Sequence, residues 1–534
     1  MNALALAHSA RARSHGPLKD YEAFVTSLGL QPRNVNQRLG WRDRFVAVYP
    51  DIEAWFVAPL ATRVGRLYGE SQARPADELS YRARPYLIYL ALAGHAWLDF
   101  EWLLGIQYLG STMAAVHLGI DLGLDSLHRD AVRLGYTGGA VRSQLYWGLA
   151  RAVLHRGDAD VSSVGEEDVA ALEAAVQCFD RHPDVARLHG SADAFRRQAT
   201  QYRSQLHLLR VVLYHRGQLP SVPRKGYTSP RKRQPGPAKM EAVLARYVAA
   251  RALTDRPATV KNAETGIRRF MTWARLAHPG LDSFAQVTRA QVLEYSSSLA
   301  EEPSARTGRL LGIATRLKRL SDLSVFFRDV ASWGWEDVPP HPLIGRGDLP
   351  KAPMAVPRYI PADDLGRLMA AIHRVECPYQ RTALLVARWS GARRDEIRRL
   401  ELDCLDSYPD GTPRLRVPAG KTRRERMVPL HEEAAQAVRK LQLGRKGEQG
   451  LVDPYTGKQV RYLFLRHGKL ASHQYLFVAS LRSACAMAGL VRSDGRPAVT
   501  AHRFRHSVGT QLAEQGARLR RSWPYSGTPA PRWR

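Results

Sequence analysis

Ser390-Gly391-Ala392-Arg393-Arg394-Asp395-Glu396-Ile397 sets a glycine turn directly before a helix start. The turn fixes where Arg393 points. An arginine at such a position adds a planar fork of donors to the free backbone N–H groups and the positive end of the helix dipole, which suits a phosphate oxygen. Taken alone, an arginine-rich helix start more often just faces solvent. Upstream of the turn, periodicity predicts helices over 363–375 and 382–389. Downstream, residues 413–429, PRLRVPAGKTRRERMVP, read as two short strands joined by a turn that holds Gly420 and Lys421. Helices return over 431–443 and 479–488, so a mixed α and β domain is expected from about Arg358 onward.

Two further pieces lie downstream. Lys421 stands at the tip of the expected hairpin, 28 residues after Arg393, with a mobile ammonium that can reach a strand break and donate a proton. By itself it reads as a surface turn lysine. His502-Arg503-Phe504-Arg505-His506 leads into the helical run SVGTQLAEQG, and His502 and Arg505, three residues apart, share one helical face and can grip one phosphate together. An isolated His-x-x-Arg is common by chance; its place after the other two pieces is not.

In residue type, order and spacing the three pieces resemble the signature of the tyrosine recombinase (phage integrase) family over residues 240 to about 520. The resemblance implies a mainly α protein: a helical, SAM-like core-binding domain over 240–345, and an α+β integrase-type catalytic domain over 358–534 with a small antiparallel sheet. The phrase Thr288-Arg289-Ala290-Gln291-Val292 is typical of the core-binding domain. By the same resemblance Arg393 and Arg505 neutralise the non-bridging phosphate oxygens, where charge grows in the transition state. His502 assists proton handling or holds the phosphate, Lys421 protonates the departing 5′ oxygen, and His506 supports the site. A tyrosine then attacks phosphorus and forms a 3′-phosphotyrosyl link. Arg289 and Arg394 are expected to contact DNA, the partner is double-stranded DNA, and assembly is as a tetramer on it. No cofactor and no metal are expected, because the arginines supply the positive charge.

Composition agrees with a polyanionic partner. The 534 residues carry 79 Lys and Arg against 50 Asp and Glu, a net +29 and a pI of about 10.3. The excess is uneven, since residues 358–534 hold 33 basic and 16 acidic side chains, a net of +17. A length of this size suggests roughly three domains. Residues 1–215 read as a succession of helices with no motif that carries chemistry, and their role is left open. Residues 216–239 form a Pro/Gly linker whose Arg224, Lys225, Arg231, Lys232 and Arg233 either lie along phosphates or are simply solvated. The four cysteines, Cys178, Cys377, Cys404 and Cys485, show no metal or redox spacing, as a reducing cytoplasm allows. The apolar stretch 85–122 is broken by His95, Asp99, Glu101 and Asp121 and is expected to be a buried helical hairpin and not a membrane span. A cytoplasmic, nucleoid-associated bacterial protein is the expectation.

The tail departs from the family pattern. After Arg520 it reads RSWPYSGTPAPRWR, whose prolines exclude a helix. Tyr525 is the only tyrosine after the box; it falls early, between Pro524 and Ser526-Gly527, and is not expected to be the nucleophile. The expectation is a truncated or frameshifted C-terminus, with binding retained, cleavage impaired and assembly weakened. The alternatives are a non-catalytic DNA-binding regulator or relic, and a type IB topoisomerase-like enzyme.

Overall fold

A computed structural model describes residues 12–106, 109–223, 236–304, 308–351, 359–420, 424–445, 448–453 and 456–514. They are mainly helical, with three small antiparallel sheets. The chain divides into two compact units, Met1–Gly226 with Arg358–Arg534, and Tyr227–Pro357.

In the smaller unit four helices, Ala238–Ala252, Pro257–Ala277, Arg289–Glu301 and Ile313–Ser332, enclose a core built on Tyr247, Phe270, Phe284, Phe326 and Phe327. Their starts follow local chemistry. Pro257 occupies the first helical position, where its missing N–H costs nothing. Thr288 and Gln291 form a reciprocal capping box, the Gln291 side chain accepting from Thr288 N at 2.8 Å. The Thr288–Val292 phrase is thus a helix-start signal in this chain.

The larger unit joins the N-terminal helices to the C-terminal domain. One continuous apolar cluster runs from Tyr21 through Trp55, Trp102, Phe195 and Val212, and it includes Leu451, Tyr462 and Leu465. Polar contacts seal the same junction. Tyr214 Oη donates to Gly450 O at 2.6 Å, His467 N donates to Leu134 O at 2.6 Å, and the rings of Tyr136 and His467 stack at 4.6 Å.

The stretch 85–122 is not the expected hairpin of two helices. Helix Glu78–Leu92, which contains Pro85, ends there, and the short helices Phe100–Gly105 and Ser111–His117 follow. Asp99 explains the break: its carboxylate caps the second helix through Trp102 N at 2.9 Å and pairs with the buried Arg63. Among the described residues no helix is long and apolar enough to cross a membrane.

In the C-terminal domain helix Pro378–Ser390 is central and packs against Glu432–Leu443, Ala501–Glu514 and the π-helical turn Gln474–Ala479. The expected hairpin is present as β2 (Pro413–Val417) and β3 (Arg426–Pro429), with Leu415 opposite Val428. A strand not foreseen, β1 (Leu405–Ser407), pairs antiparallel with β2 to complete three strands. Leu415 and Val417 point into the core while Arg414 and Arg416 alternate outward.

Candidate active site

Gly391 ends helix Pro378–Ser390 in the left-handed conformation, φ +58°, and a Cβ there would lie 3.3 Å from Val508 Cγ1. Both facts favour glycine: it adopts positive φ freely and lets helix Ala501–Glu514 approach the turn. The turn then orients the box. Arg505 Nη1 donates to Gly391 O at 2.7 Å.

Two residues later Arg393 caps the short helix Arg394–Arg398. Its N–H donates to Glu396 Oε2 and its Nη1 to Glu396 Oε1, both at 2.9 Å. Glu396 is 1 % exposed and also accepts from Arg426 Nη2 on β3 at 2.8 Å. A Cβ at Gly420 would collide with Glu396 Oε1, so the start of the β2–β3 connection also presses on this carboxylate. Burial alone would raise the Glu396 carboxyl, but hydrogen bonds from Arg426 and Arg393 and the charge of Arg426 outweigh it and hold the group below the ordinary glutamate range.

The result is an excess of positive charge around one buried anion. Arg393, Arg426 and Arg505 lie close enough that burial, reinforced by repulsion from Arg393 and Arg426, lowers the Arg505 pKa. Desolvation and the nearby charges of His506, Arg505, Arg394 and Arg393 push the His502 imidazole below its usual value, favouring the neutral form at pH 7. The His502 and His506 rings meet edge-on at 4.7 Å. Beside this cluster, a hydrogen bond from His473 holds the Asp395 carboxyl low.

Of the residues singled out in the sequence, Arg393, Arg394, His502, Arg505 and His506 come together here. Arg394 is exposed at the first helical position, and His502 and Arg505 sit in one helix. Arg289 lies in the other unit and forms a two-toothed ion pair with Asp348, at 2.7 and 2.9 Å. Lys421, Arg231, Lys232, Arg233 and Tyr525 lie outside the described residues. Sequence reading missed Glu396 and Arg426. The Arg393-x-x-Glu396 spacing, a helix-start pattern in which the third residue reaches back, was the available signal for the first. Nothing local marks Arg426 as more than an outward arginine on a strand. Among the described residues no group of three or more His, Cys, Asp or Glu is placed to hold a metal ion.

Residues 358–521 match the family model described as the phage integrase family. Transposase B from transposon Tn554 of Staphylococcus aureus is 26% identical over 278 residues, which is 51% of this chain and 41% of that protein. A putative integrase/recombinase of Sinorhizobium fredii is 29% identical over 283 residues, covering 48% of this chain and 56% of that protein. The tyrosine recombinase XerD of Brucella suis is 29% identical over 218 residues, 39% of this chain and 65% of that protein. The matched segments thus amount to about half the length of these relatives. Among solved structures, the Tn1549 transposon integrase in complex with circular intermediate DNA aligns at a TM-score of 0.38, with 16% identity over 53% of this chain and 89% of that one. Over residues 358–521 the C-terminal domain of this chain thus matches the phage integrase family.

Proposed function

We propose that this chain is a DNA-binding, site-specific recombinase of a mobile element, whose C-terminal domain holds the scissile phosphate at Arg393 and Arg505. One observation carries the reading: the Arg393 and Arg426 guanidinium groups share a single buried carboxylate, and the third guanidinium nearby, Arg505, donates through Nη1 only to a neutral carbonyl. The site is therefore short of negative charge, and a phosphodiester supplies it.

In the family's reaction a tyrosine hydroxyl attacks phosphorus, the P–O5′ bond breaks, and a 3′-phosphotyrosyl bond forms; no tyrosine of this chain is assigned that role, so the reading for this chain is phosphate binding with cleavage impaired. The tyrosine proton passes to a neutral base, a role the lowered pKa of His502 suits, and the 5′ oxygen takes a proton from Lys421. Arg393 and Arg505 stabilise the charge that develops on the non-bridging oxygens, while His506 steadies His502. Glu396 acts through Arg393, fixing its fork. Tyr525 is given no role. The smaller unit supplies further contacts to the duplex, with Arg289 among the candidates, and the basic linker residues Arg231, Lys232 and Arg233 track phosphates. Assembly on DNA is as the family's tetramer, weakened in this chain, in the cytoplasm and against the nucleoid.

The test uses the full chain and a nicked duplex carrying an element end. A gel shift weakened in Arg505→Gln supports the phosphate site, and a denaturing-gel adduct lost in the same variant adds strand cleavage to it. A shift without an adduct points to a non-catalytic DNA-binding protein, and no shift at all refutes both.

A further inference from the structure

We infer that the N-terminal region carries a second surface for duplex DNA, on the outer face of helix Pro32–Val48. This helix has 17 residues and a single buried one, Phe45, near its C-terminal end. Arg33, Asn36, Gln37, Gly40 and Arg44 are exposed, and their spacing of three, four and seven places them along one side. The opposite side packs on helix Glu78–Leu92, where Phe45 and Arg42 meet Tyr86.

The charge on the outer face is uncompensated. Some exposed arginines in this unit pair with carboxylates, as in Arg187–Asp184 and Arg196–Asp193. Among the described residues neither Arg33 nor Arg44 is ion-paired, and Arg44 lies 4.9 Å over the Trp41 ring. The one acidic group of the helix, Asp43, is held by Arg42 at 2.9 Å. Asn36 and Gln37 add amides, the side chains that pair with adenine edges, and arginine is the usual reader of guanine and of phosphate. The major groove admits an α-helix of this width.

Gly40 sits in the middle of that face. A mid-helix glycine weakens a helix relative to alanine, and here a Cβ would meet nothing within 4 Å, so no packing within the chain requires it. The face is open to a partner at that point.

The same helix pair occurs a second time in the chain. Leu28, Pro32, Val35, Arg44 and Phe45 recur 225 positions later as Leu253, Pro257, Val260, Arg269 and Phe270. In both copies a helix, a four-residue connection and a helix opening on proline follow in order, Leu18–Ser27 with Pro32–Val48 and Ala238–Ala252 with Pro257–Ala277. The face carrying Asn36, Gln37, Gly40 and Arg44 corresponds to the exposed Lys261, Asn262, Thr265 and Arg269. Basic and amide chemistry thus recurs on one helix face in two separate units. The proposal does not depend on strand cleavage.

The test replaces Gln37 with a photo-crosslinking amino acid in the full chain and irradiates it with a labelled mixed-sequence duplex at low salt. A second preparation carries the same group at Arg394, which reports on the C-terminal site alone. Crosslinking from position 37 supports the proposal whatever position 394 does; crosslinking from 394 only overturns it, as does capture of a protein in place of the duplex. Arg33→Gln with Arg44→Gln, checked by unchanged thermal unfolding, removes two phosphate contacts. Between 50 and 200 mM salt the wild type should then lose about tenfold more affinity than the double variant. Equal losses would overturn the proposal.

Discussion

Replacing Glu396 by Gln perturbs the centre of the site with little change of shape. The carboxylate accepts from Arg393 N, Arg393 Nη1 and Arg426 Nη2. A neutral amide keeps one acceptor oxygen and turns two donors toward donors. Each buried donor left unmatched costs about 1–3 kcal/mol. Both arginines are about one third exposed, at 33% and 32%, so they rehydrate in part and the net loss should be about 2 kcal/mol. On a cooperative unit of about 400 residues this is a fall in Tm of ~2–3 °C. The sign of the pH dependence follows from the depressed folded-state pKa of Glu396. Its contribution is present above the unfolded value of about 4.5 and is lost as pH falls through the lower folded value. Calorimetry of wild type and Glu396→Gln from pH 7 to pH 3 should show the gap in Tm closing below about pH 4.5. A gap that stays constant across that range, or no gap at pH 7, would refute the assignment of this carboxylate as the charged anchor of the two arginines.

Three other outcomes follow from the geometry. Gly391→Ala combines a positive φ with a Cβ near Val508, so it should cost about 1–2 kcal/mol by thermal unfolding and weaken duplex binding as well. His502 should titrate below about 6.5 by NMR, and Arg393→Gln should move it upward by removing one of the charges that depress it; an unmoved midpoint would contradict the cluster. Tyr214→Phe removes the hydrogen bond to Gly450 O at the junction of the N-terminal helices with the C-terminal domain, and should cost about 1 kcal/mol without changing duplex binding.

Much of the C-terminal domain was legible because its signals are local. The stretch 413–429, with its Gly420 turn, gave the β2–β3 hairpin, and the glycine turn with the His-x-x-Arg box placed Arg393 and Arg505 in order. The helix after Cys377 starts at Pro378, four residues before the apolar run that suggested it, because proline is suited to a first helical position. β1 was not legible: three residues, Leu405–Ser407, carry too little periodicity to separate from a loop, and only pairing with β2 defines them. The junction with the N-terminal helices was hidden for a different reason. Leu451, Tyr462 and Leu465 come from short strands and their connections, and their burial depends on Tyr214, Val211 and Leu134 more than two hundred residues earlier. Glu396 looked like one more charge in a polar helix start, and at 1 % exposure it is covered by Arg393, by Arg426 on β3 and by Gly420.

The most direct test of the phosphate site is the salt dependence of duplex binding, by fluorescence anisotropy, for wild type and for Arg393→Gln with Arg505→Gln. Two guanidinium groups that grip one phosphate should, when removed, lower the magnitude of the slope of log affinity against log salt by about 0.9 and weaken binding at low salt. An identical slope in the double variant would show that these arginines do not touch the DNA backbone, and the proposed site would fall with them.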